Sequence, residues 1–322
     1  MNSTCVPGQE AYRQALGTDP DAALWLQPWW LDATCGDTGW SAITVHEDGV
    51  TRGAMAFRSQ TRRGVPRLGQ APLSLGGGPW LQRHDEMGLA KWQAFETKVL
   101  RQLAEALPRS AYYQQNWVPK RNNWLPFYWS GFTQTTRYTY QLDLTRKVDD
   151  LWSGMSATGR RTIRKSKDRF NVGIQTTDDF DSLIRLNNEV YGRQGLNPPH
   201  SVELMSRVFD RANERDACEL LEATDDAGNL HAMLFVVRDK NTTYSLISGS
   251  DERLRSSGAL HQTFWEAIQR SSGRSQRWDF AGSMVEPIEQ FLRSFGPTRV
   301  PYFNVYGSKS RTTRRLLRLG LI

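Results

Sequence analysis

One order of segments, a hairpin followed by a helix and a further strand, occurs twice along the chain. In the first half, residues 40–46 (WSAITVH) and 53–58 (GAMAFR) read as strands about an Asp48-Gly49 turn. Residues 87–107 follow as a long periodic helix that stops before Pro108, and 111–116 (AYYQQN) read as a strand. In the second half, residues 218–223 and 231–238 flank a turn at 225–228. Residues 242–248 then add a strand, 258–270 a helix and 276–280 a strand. The two hairpins share an Ala-Met pair, Ala54-Met55 and Ala232-Met233, at an offset of just under 180 residues. Alternation of strand and helix periods makes each copy α/β, and the repeat predicts two similar domains. Between them, residues 138–144 (YTYQLDL) alternate as a half-buried strand, and a basic helical stretch over 148–169 follows. The boundary is therefore expected near Thr145, giving domains 1–145 and 146–322.

Several classes of protein fall away. No apolar run approaches the ~18 residues of a membrane-spanning helix. Residues 1–16 carry neither a basic nor an apolar segment, so no secretory leader is expected there. Cys5, Cys35 and Cys218 are widely spaced and odd in number, which fits reducing cytoplasm better than a disulfide framework. His46, His84, His200, His231 and His261 never fall at ligand spacing, so no metal site is predicted. Lys and Arg total 41 against 34 Asp and Glu, a formal charge of +7, which favours an anionic partner.

Five segments could carry chemistry. In residues 246–268 (LISGSDERLRSSGALHQTFWEAI) a strand runs through a polar loop into a helix starting near Gly258. A helix start offers free N–H groups and a positive dipole end to phosphate; Arg253, Arg255, Ser256 and Ser257 would assist. The same residues also fit a plain Ser-capped helix with solvated arginines. Around residues 160–169, Arg161, Arg164 and Lys165 share a helix face that suits phosphates or, equally, solvent. In the tail, Arg311, Arg314, Arg315 and Arg318 recur at helical spacing opposite Leu316, Leu317 and Leu319. That pattern fits an RNA or peripheral membrane contact, or a docked C-terminus.

Asp279 falls at a strand end before Gly282-Ser283, where α/β proteins place ligands and where structural caps are also common. Trp117, Trp124, Phe127, Tyr128, Trp129, Phe132, Tyr138 and Tyr140 could stack sugars or bases, or fill a seam between domains. The Gly76-Gly77-Gly78-Pro79-Trp80 loop permits close backbone approach to a ligand, or simply turns tightly. No GxxxxGK[ST] or GxGxxG signature occurs, and no Ser-His-Asp or Cys-His arrangement is readable from the order of residues.

Taken together these segments resemble the Fem-type aminoacyltransferases and the acetyltransferase domains of the GNAT superfamily. The resemblance rests on GGGPW at 76–80 and on residues 132–169, with Arg161, Ile163, Arg164 and Lys165 in an Arg-x-x-Ile-Arg-Lys-like run. It rests also on residues 249–268 and on 278–296, with Asp279, Phe280, Gly282, Phe295 and Gly296. It covers roughly residues 25–306. Two positions depart from the pattern: Leu260 stands where the donor loop ends in Gly or Ala, and Leu292, followed by Arg293, stands where tRNA-dependent relatives carry Lys.

The resemblance implies an α/β (α+β) fold of two tandem GNAT-like domains, each a mixed twisted sheet flanked by helices. It implies a cytoplasmic acyltransferase that moves an acyl or aminoacyl group onto a primary amine of a glycan or peptide precursor or a specialised metabolite. The donor would be acyl-CoA or aminoacyl-tRNA, with no tightly bound cofactor. Donor contacts would come from Arg253, Arg255, Ser256, Ser257, Gly258, Ala259 and Arg293, and substrate contacts from Arg161, Arg164, Lys165 and Tyr138. Asp279 and Tyr302 would handle protons or orient substrate. The alternative is a non-catalytic protein that binds glycan or RNA on the same fold.

Overall fold

The computed structural model describes residues 3–62, 64–82, 86–109, 111–193 and 195–319. His84 and the side chains of Cys5, Leu317 and Arg318 lie outside the described residues. The chain begins with β1 (Ser3–Pro7), α1 (Gln9–Gly17) and α2 (Pro28–Cys35). Next come β2 (Trp40–Glu47), β3 (Val50–Arg62), β4 (Val65–Gly69), β5 (Trp80–Leu81), α3 (Leu89–Ala106), β6 (Tyr112–Asn116), α4 (Leu125–Trp129) and β7 (Phe132–Asp143). The second half holds α5 (Val148–Gly154), α6 (Ala157–Phe170), β8 (Gly173–Thr176), α7 (Phe180–Arg193), α8 (Val202–Asn213), β9 (Cys218–Thr224) and β10 (Leu230–Arg238). It continues with β11 (Thr242–Ser250), α9 (Ala259–Ser271), β12 (Arg277–Asp279), α10 (Glu286–Arg293), β13 (Thr298–Gly307) and α11 (Arg311–Arg318).

Two compact units result: residues 1–137 with 301–322, and residues 138–300. The sequence reading divided the chain at 145/146 and kept the tail in the second half. The contacts divide it at 137/138 and return the tail to the first unit, because β13 pairs antiparallel with β6 from Asn304↔Asn116 to Gly307↔Tyr113. α11 docks there as well. Arg314 donates to the carbonyls of Gly131 (3.2 Å) and Ser308 (3.0 Å), and Lys309 to that of Glu105 (2.6 Å).

Each unit has the same wiring. β2-β3-β4 and β9-β10-β11 are antiparallel meanders. α3 and α9 are the crossovers that a following parallel strand requires, and β6 and β12 are those strands, on β4 and β11. A strand from elsewhere in the chain then closes the order, β13 on β6 and β7 on β12.

Side-chain alternation sets the layers. In the first unit Ile43, Val45, Met55 and Phe57 pack on Leu100 and Leu103 of α3. Trp40, Ala42, Ala54 and Ala56 point the other way, onto Tyr12, Leu16 and Leu31 of α1 and α2. In the second unit Leu234, Val236 and Trp278 meet α5, α6 and α9 through Leu151, Ile163, Phe264 and Ile268. On the opposite face Phe235 packs edge-on against Phe180 and Phe209 of α7 and α8.

Three expectations resolve differently from the sequence reading. The stretch at 148–169 is two helices, because Met155 and Ser156 are extended, and Ser156 caps α6 by accepting from the Gly159 N–H at 3.0 Å. The aromatic run is no seam: Trp117, Phe127 and Phe132 are buried with Tyr113 in the first unit's own core, while Tyr128 and Trp129 are exposed. The glycine loop approaches Trp117, not a ligand. Gly78 has φ +82°, and a Cβ there would lie 2.5 Å from the Trp117 ring. Among the described residues, no helix is long and apolar enough to cross a membrane.

α7 lies so close on β11 that a Cβ at Gly249 would meet Leu186 Cβ at 2.6 Å and Asn187 N at 2.8 Å. The obstacle is helix backbone, which cannot swing aside. Gly249→Ala is expected to lower stability by about 1–3 kcal/mol through overpacking. Urea unfolding of the variant beside Gly88→Ala, where φ is −60° and a Cβ meets nothing within 4 Å, tests this. Equal midpoints would refute the close packing of α7 on β11.

Candidate functional site

The site builds from a parting of strands. β11 and β12 pair parallel at Thr242↔Arg277, Thr243↔Trp278 and Tyr244↔Asp279, and the ladder then ends. β11 continues for six residues beside β10 alone. Its register passes from Phe235↔Ile247 to Val236↔Ser245, which leaves Leu246 as a bulge residue without a partner. No hydrogen bond joins residues 245–250 to 280–283 among the described residues.

β12 is held on its course by Asp279. This carboxylate is 5% exposed and accepts from the Thr139 hydroxyl, the Gln141 amide (2.8 Å) and the Ala281 N–H (2.8 Å). Burial raises its pKa, and the three hydrogen bonds pull it back only in part. The chain then turns through Ala281 (φ +66°) and Gly282 (φ +61°), where a Cβ on Gly282 would lie 2.4 Å from the Tyr138 carbonyl oxygen. Glycine is required here by both conformation and space. Tyr138 is part of this crossing through its backbone; its ring lies 5.7 Å below the Arg299 guanidinium.

The far end of β11 leads into the predicted donor turn. Asp251 ties the start of the turn, accepting from the Arg253 N–H at 2.8 Å and pairing with its guanidinium at 3.1 Å. Arg255–Ser257 form a single 3-10 turn, and Gly258, φ +81°, releases the chain into α9. A side chain at Gly258 would strike Thr162 of α6, 2.5 Å away. Lys165, one turn further along α6, donates to the Ser256 carbonyl at 2.6 Å. The turn and the basic helix are thus brought together, as part of one surface. Arg255 and Ser256 are exposed on it, and Arg255 makes no ion pair among the described residues.

The remaining expected residues separate. Arg161 is exposed one helical turn from Lys165, and Arg169 one turn beyond it, so the three form a row at i, i+4 and i+8. Arg164 lies 5.6 Å over the Trp152 ring instead of joining them. Arg293 pairs with Glu289 at 3.5 Å and makes no contact with the turn among the described residues. Tyr302 is on β13 in the first unit. Ala259 is buried at the start of α9.

Two residues behind the turn went unread in the sequence. The His231 ring bridges Ser257 Oγ (2.9 Å from Nδ1) and Asp225 Oδ2 (3.2 Å from Nε2). Ser257, 1% exposed, also accepts from the Ala259 N–H at 3.2 Å, and so satisfies the first N–H of α9 from the residue before its Gly258 N-cap. Asp225 is held well below the ordinary carboxylate range by the side chain and backbone N–H of Asn229, with His231 adding to them. The only linear signal was a polar His at the start of an otherwise apolar strand, six residues from a turn Asp.

The open edge of β11 carries two capped carbonyls. Asp251 N bonds His231 O, so the paired positions of β11 are the odd ones, and Ser248 and Ser250 turn their backbone groups to the other edge. There Asn187 Nδ2 donates to the Ser248 carbonyl at 3.1 Å, and Arg193 reaches the Ser250 carbonyl at 3.5 Å, both from α7.

Two effects follow. Ser257→Ala strands a buried imidazole nitrogen and leaves the first N–H of α9 without its acceptor, and should cost about 1–3 kcal/mol. Arg253→Ala, at an exposed pair, should cost under about 1 kcal/mol; equal unfolding midpoints for the two would show that the His231 bridge stabilises nothing. His261, in the first turn of α9 against Phe291 and Phe295, is pushed down by burial to about 4. The folded state keeps it neutral while the unfolded chain takes up a proton near its ordinary 6.5. Stability is therefore expected to fall as pH drops from about 6.5 to 4. A His261→Phe variant whose stability falls as steeply over that window would refute the assignment.

The comparisons with known proteins accord with this geometry. The family of acetyltransferase (GNAT) domains matches residues 154–282, from the end of α5 to the Gly282 crossing. No curated protein matches the chain by sequence. Among solved structures, FemX superposes with a TM-score of 0.68 at 11% identity, covering 94% of this chain and 97% of its own. The C-terminal domain (DUF2156) of a putative lysylphosphatidylglycerol synthetase from Agrobacterium fabrum gives 0.58 at 11% identity, with 96% and 95% covered. A tandem GNAT protein from the clavulanic acid biosynthesis pathway gives 0.52 at 13% identity, with 96% and 99% covered. At such identities the likeness is one of fold, and the fold is the tandem arrangement expected from the sequence. Residues 154–282, in the second unit, thus match an acetyltransferase (GNAT) domain, and the chain as a whole shares the fold of FemX and of tandem GNAT proteins.

Proposed function

We propose that this chain is an N-acyltransferase that moves an acyl group from a phosphate-bearing donor onto a primary amine. The observation that carries the reading is the parting of β11 from β12. It leaves a strand edge that runs from a bulge at Leu246 to a helix N-terminus beside exposed Arg255. Oriented N–H groups and a dipole end suit a donor phosphate. At the bulge, a neutral amine attacks the donor carbonyl carbon, the C–N bond forms, and the carbonyl electron pair moves onto oxygen. Backbone N–H groups of β11 stabilise that oxyanion. Its collapse expels the thiolate or ribose oxygen, and the ammonium proton leaves to water or to the departing group. Asp279 is left out of proton transfer, since its oxygens already accept from three donors; it acts as the brace of β12.

The donor in the first reading is acyl-CoA, its diphosphate at residues 255–259 and its arm along β11. Specific observations favour aminoacyl-tRNA as a second reading. The row Arg161, Lys165 and Arg169 beside the turn offers more cationic surface than one diphosphate needs, and Asn187 and Arg193 already occupy carbonyls along the strand edge. The acceptor is an amine of a glycan or peptide precursor or a specialised metabolite. Such an activity belongs in the cytoplasm, where both donors are made.

The test is donor binding. Coenzyme A and bulk tRNA, charged and uncharged, are titrated at two salt concentrations into the wild type, Arg255→Ala and Arg161→Ala. Saturable CoA binding weakened at least about tenfold by Arg255→Ala is the expected result, that being the loss of one charge-assisted contact. Preference for charged tRNA, with a steep salt dependence relieved by Arg161→Ala, would establish the second reading instead. If neither binds, the acyltransferase reading fails and a glycan-binding role for the fold takes its place; binding of tRNA with no preference for the charged form would point to an RNA-binding protein instead.

A further inference from the structure

The first unit holds a pocket of its own, of about 340 Å³. It lies on the face of the sheet that also carries α1 and α2, where β3, β4, β6 and β13 run on beyond those helices. Alternation explains its lining. Phe57, Leu68, Tyr113 and Val305 face the α3 core, so Arg58, Arg67, Tyr112, Gln114 and Asn304 face outward together. Arg137 completes the rim.

Its charge is one-sided. Three guanidinium groups line the pocket and no carboxylate does. None of the three makes an ion pair among the described residues. Among the described residues Arg58 has only the amide oxygen of Gln60 as acceptor, at 2.9–3.2 Å. Arg67 lies 5.2 Å over the Tyr112 ring, and its Nε is buried without a hydrogen-bond partner. Beneath them the amides are already satisfied by one another: Asn304 donates to Asn116 Oδ1 at 2.8 Å, and Gln114 to Asn304 Oδ1 at 3.4 Å. This floor is neutral, so it leaves the arginines uncompensated. Like charges gathered in a concave site repel, and a bound anion removes that repulsion while satisfying the donors.

We propose that this pocket binds a phosphorylated small molecule, its phosphate held by Arg58, Arg67 and Arg137. Three guanidinium groups suit a dianion better than a single carboxylate, and the volume, near the lower end of small-ligand sites, suits a phosphate ester of sugar size. The ligand is either a phosphorylated metabolite on its own or a phosphate carried by the acceptor amine. The binding itself stands apart from acyl transfer.

Isothermal titration with orthophosphate, glucose 6-phosphate, glucosamine 6-phosphate, glucose and acetate tests it. Saturable binding of the phosphates, with none of glucose or acetate, is expected. Arg67→Gln should weaken it at least about tenfold, and Arg58→Gln with Arg67→Gln should abolish it. Arg101→Gln, at an exposed arginine over Trp129 in the same unit, should change nothing. Thermal melts of each variant show whether the fold is kept, and Arg67→Lys, which retains the charge, should bind between wild type and Arg67→Gln. Tighter binding of glucosamine 6-phosphate than glucose 6-phosphate points to an acceptor phosphate; equal binding points to a separate metabolite. No phosphate binding, or binding indifferent to both arginines, overturns the proposal, even where CoA or tRNA binding at the second unit is intact.

Discussion

Two parallel strands that pair for only three residues need something to hold the second on its new course, and in the second unit that is the Asp279 carboxylate. An unpaired carboxylate at this depth would cost several kcal/mol. Three donors offset the cost, and two of them, Thr139 and Gln141, come from β7, the strand that β12 joins as it leaves β11. The third, from Ala281, closes the tight turn that sends the chain over Tyr138. The open edge of β11 is therefore a consequence of where Asp279 finds its partners.

The first unit shows the same parting without the opening. β4 and β6 pair at Arg67↔Tyr112, Leu68↔Tyr113 and Gly69↔Gln114, and then diverge. There the gap is closed by two glutamines. Gln70 accepts from the Asn116 N–H at 2.8 Å, and Gln115 donates to the Ala56 and Gly69 carbonyls while accepting from Gly78 N at 3.0 Å. The glycine loop thus plugs this unit's strand edge with the help of Gln115. Two copies of one topology differ in what fills the gap between the third and fourth strands, and the open strand edge of the second is the one along which the proposed donor would lie. The polar face of the first sheet then becomes available for a different ligand.

The repeat was legible because each copy has strong local periods: β2 and β3, α3, β9 to β11 and α9 all have their expected places within a few residues. The domain boundary was not, since it depends on β13 pairing with β6, nearly 190 positions away. Nor were α7 and α8, whose apolar faces are diluted by many charged residues. At the site, the turn into α9 was legible from Gly258 and its flanking Ser and Arg residues, and the adjoining helix from its basic run. What spacing could not give was which basic side chains meet the turn. Lys165 does, through a carbonyl; Arg164 is drawn to Trp152, because a nearby aromatic face outcompetes solvent for a guanidinium. Nor could spacing give the three donors that surround Asp279. A lone Asp at a strand end carries no mark of how many donors surround it.

The constellation of Ser257, His231 and Asp225 makes the same point from the other side. Its distances are those of a nucleophile, a base and an orienting carboxylate. Yet the Ser257 oxygen is buried and spends a lone pair on the Ala259 N–H, so no substrate carbon can reach it. What the relay does deliver is orientation. Asp225, fixed by its own turn, sets the His231 ring; the ring sets the Ser257 hydroxyl; and the hydroxyl sets the first N–H of α9. A helix dipole acts on a ligand only over its first turn, so a small rotation of that turn would spoil the alignment of its remaining N–H groups. The relay therefore orients the first turn of α9 through the backbone alone, and under the proposed function it would tune donor binding without touching the donor.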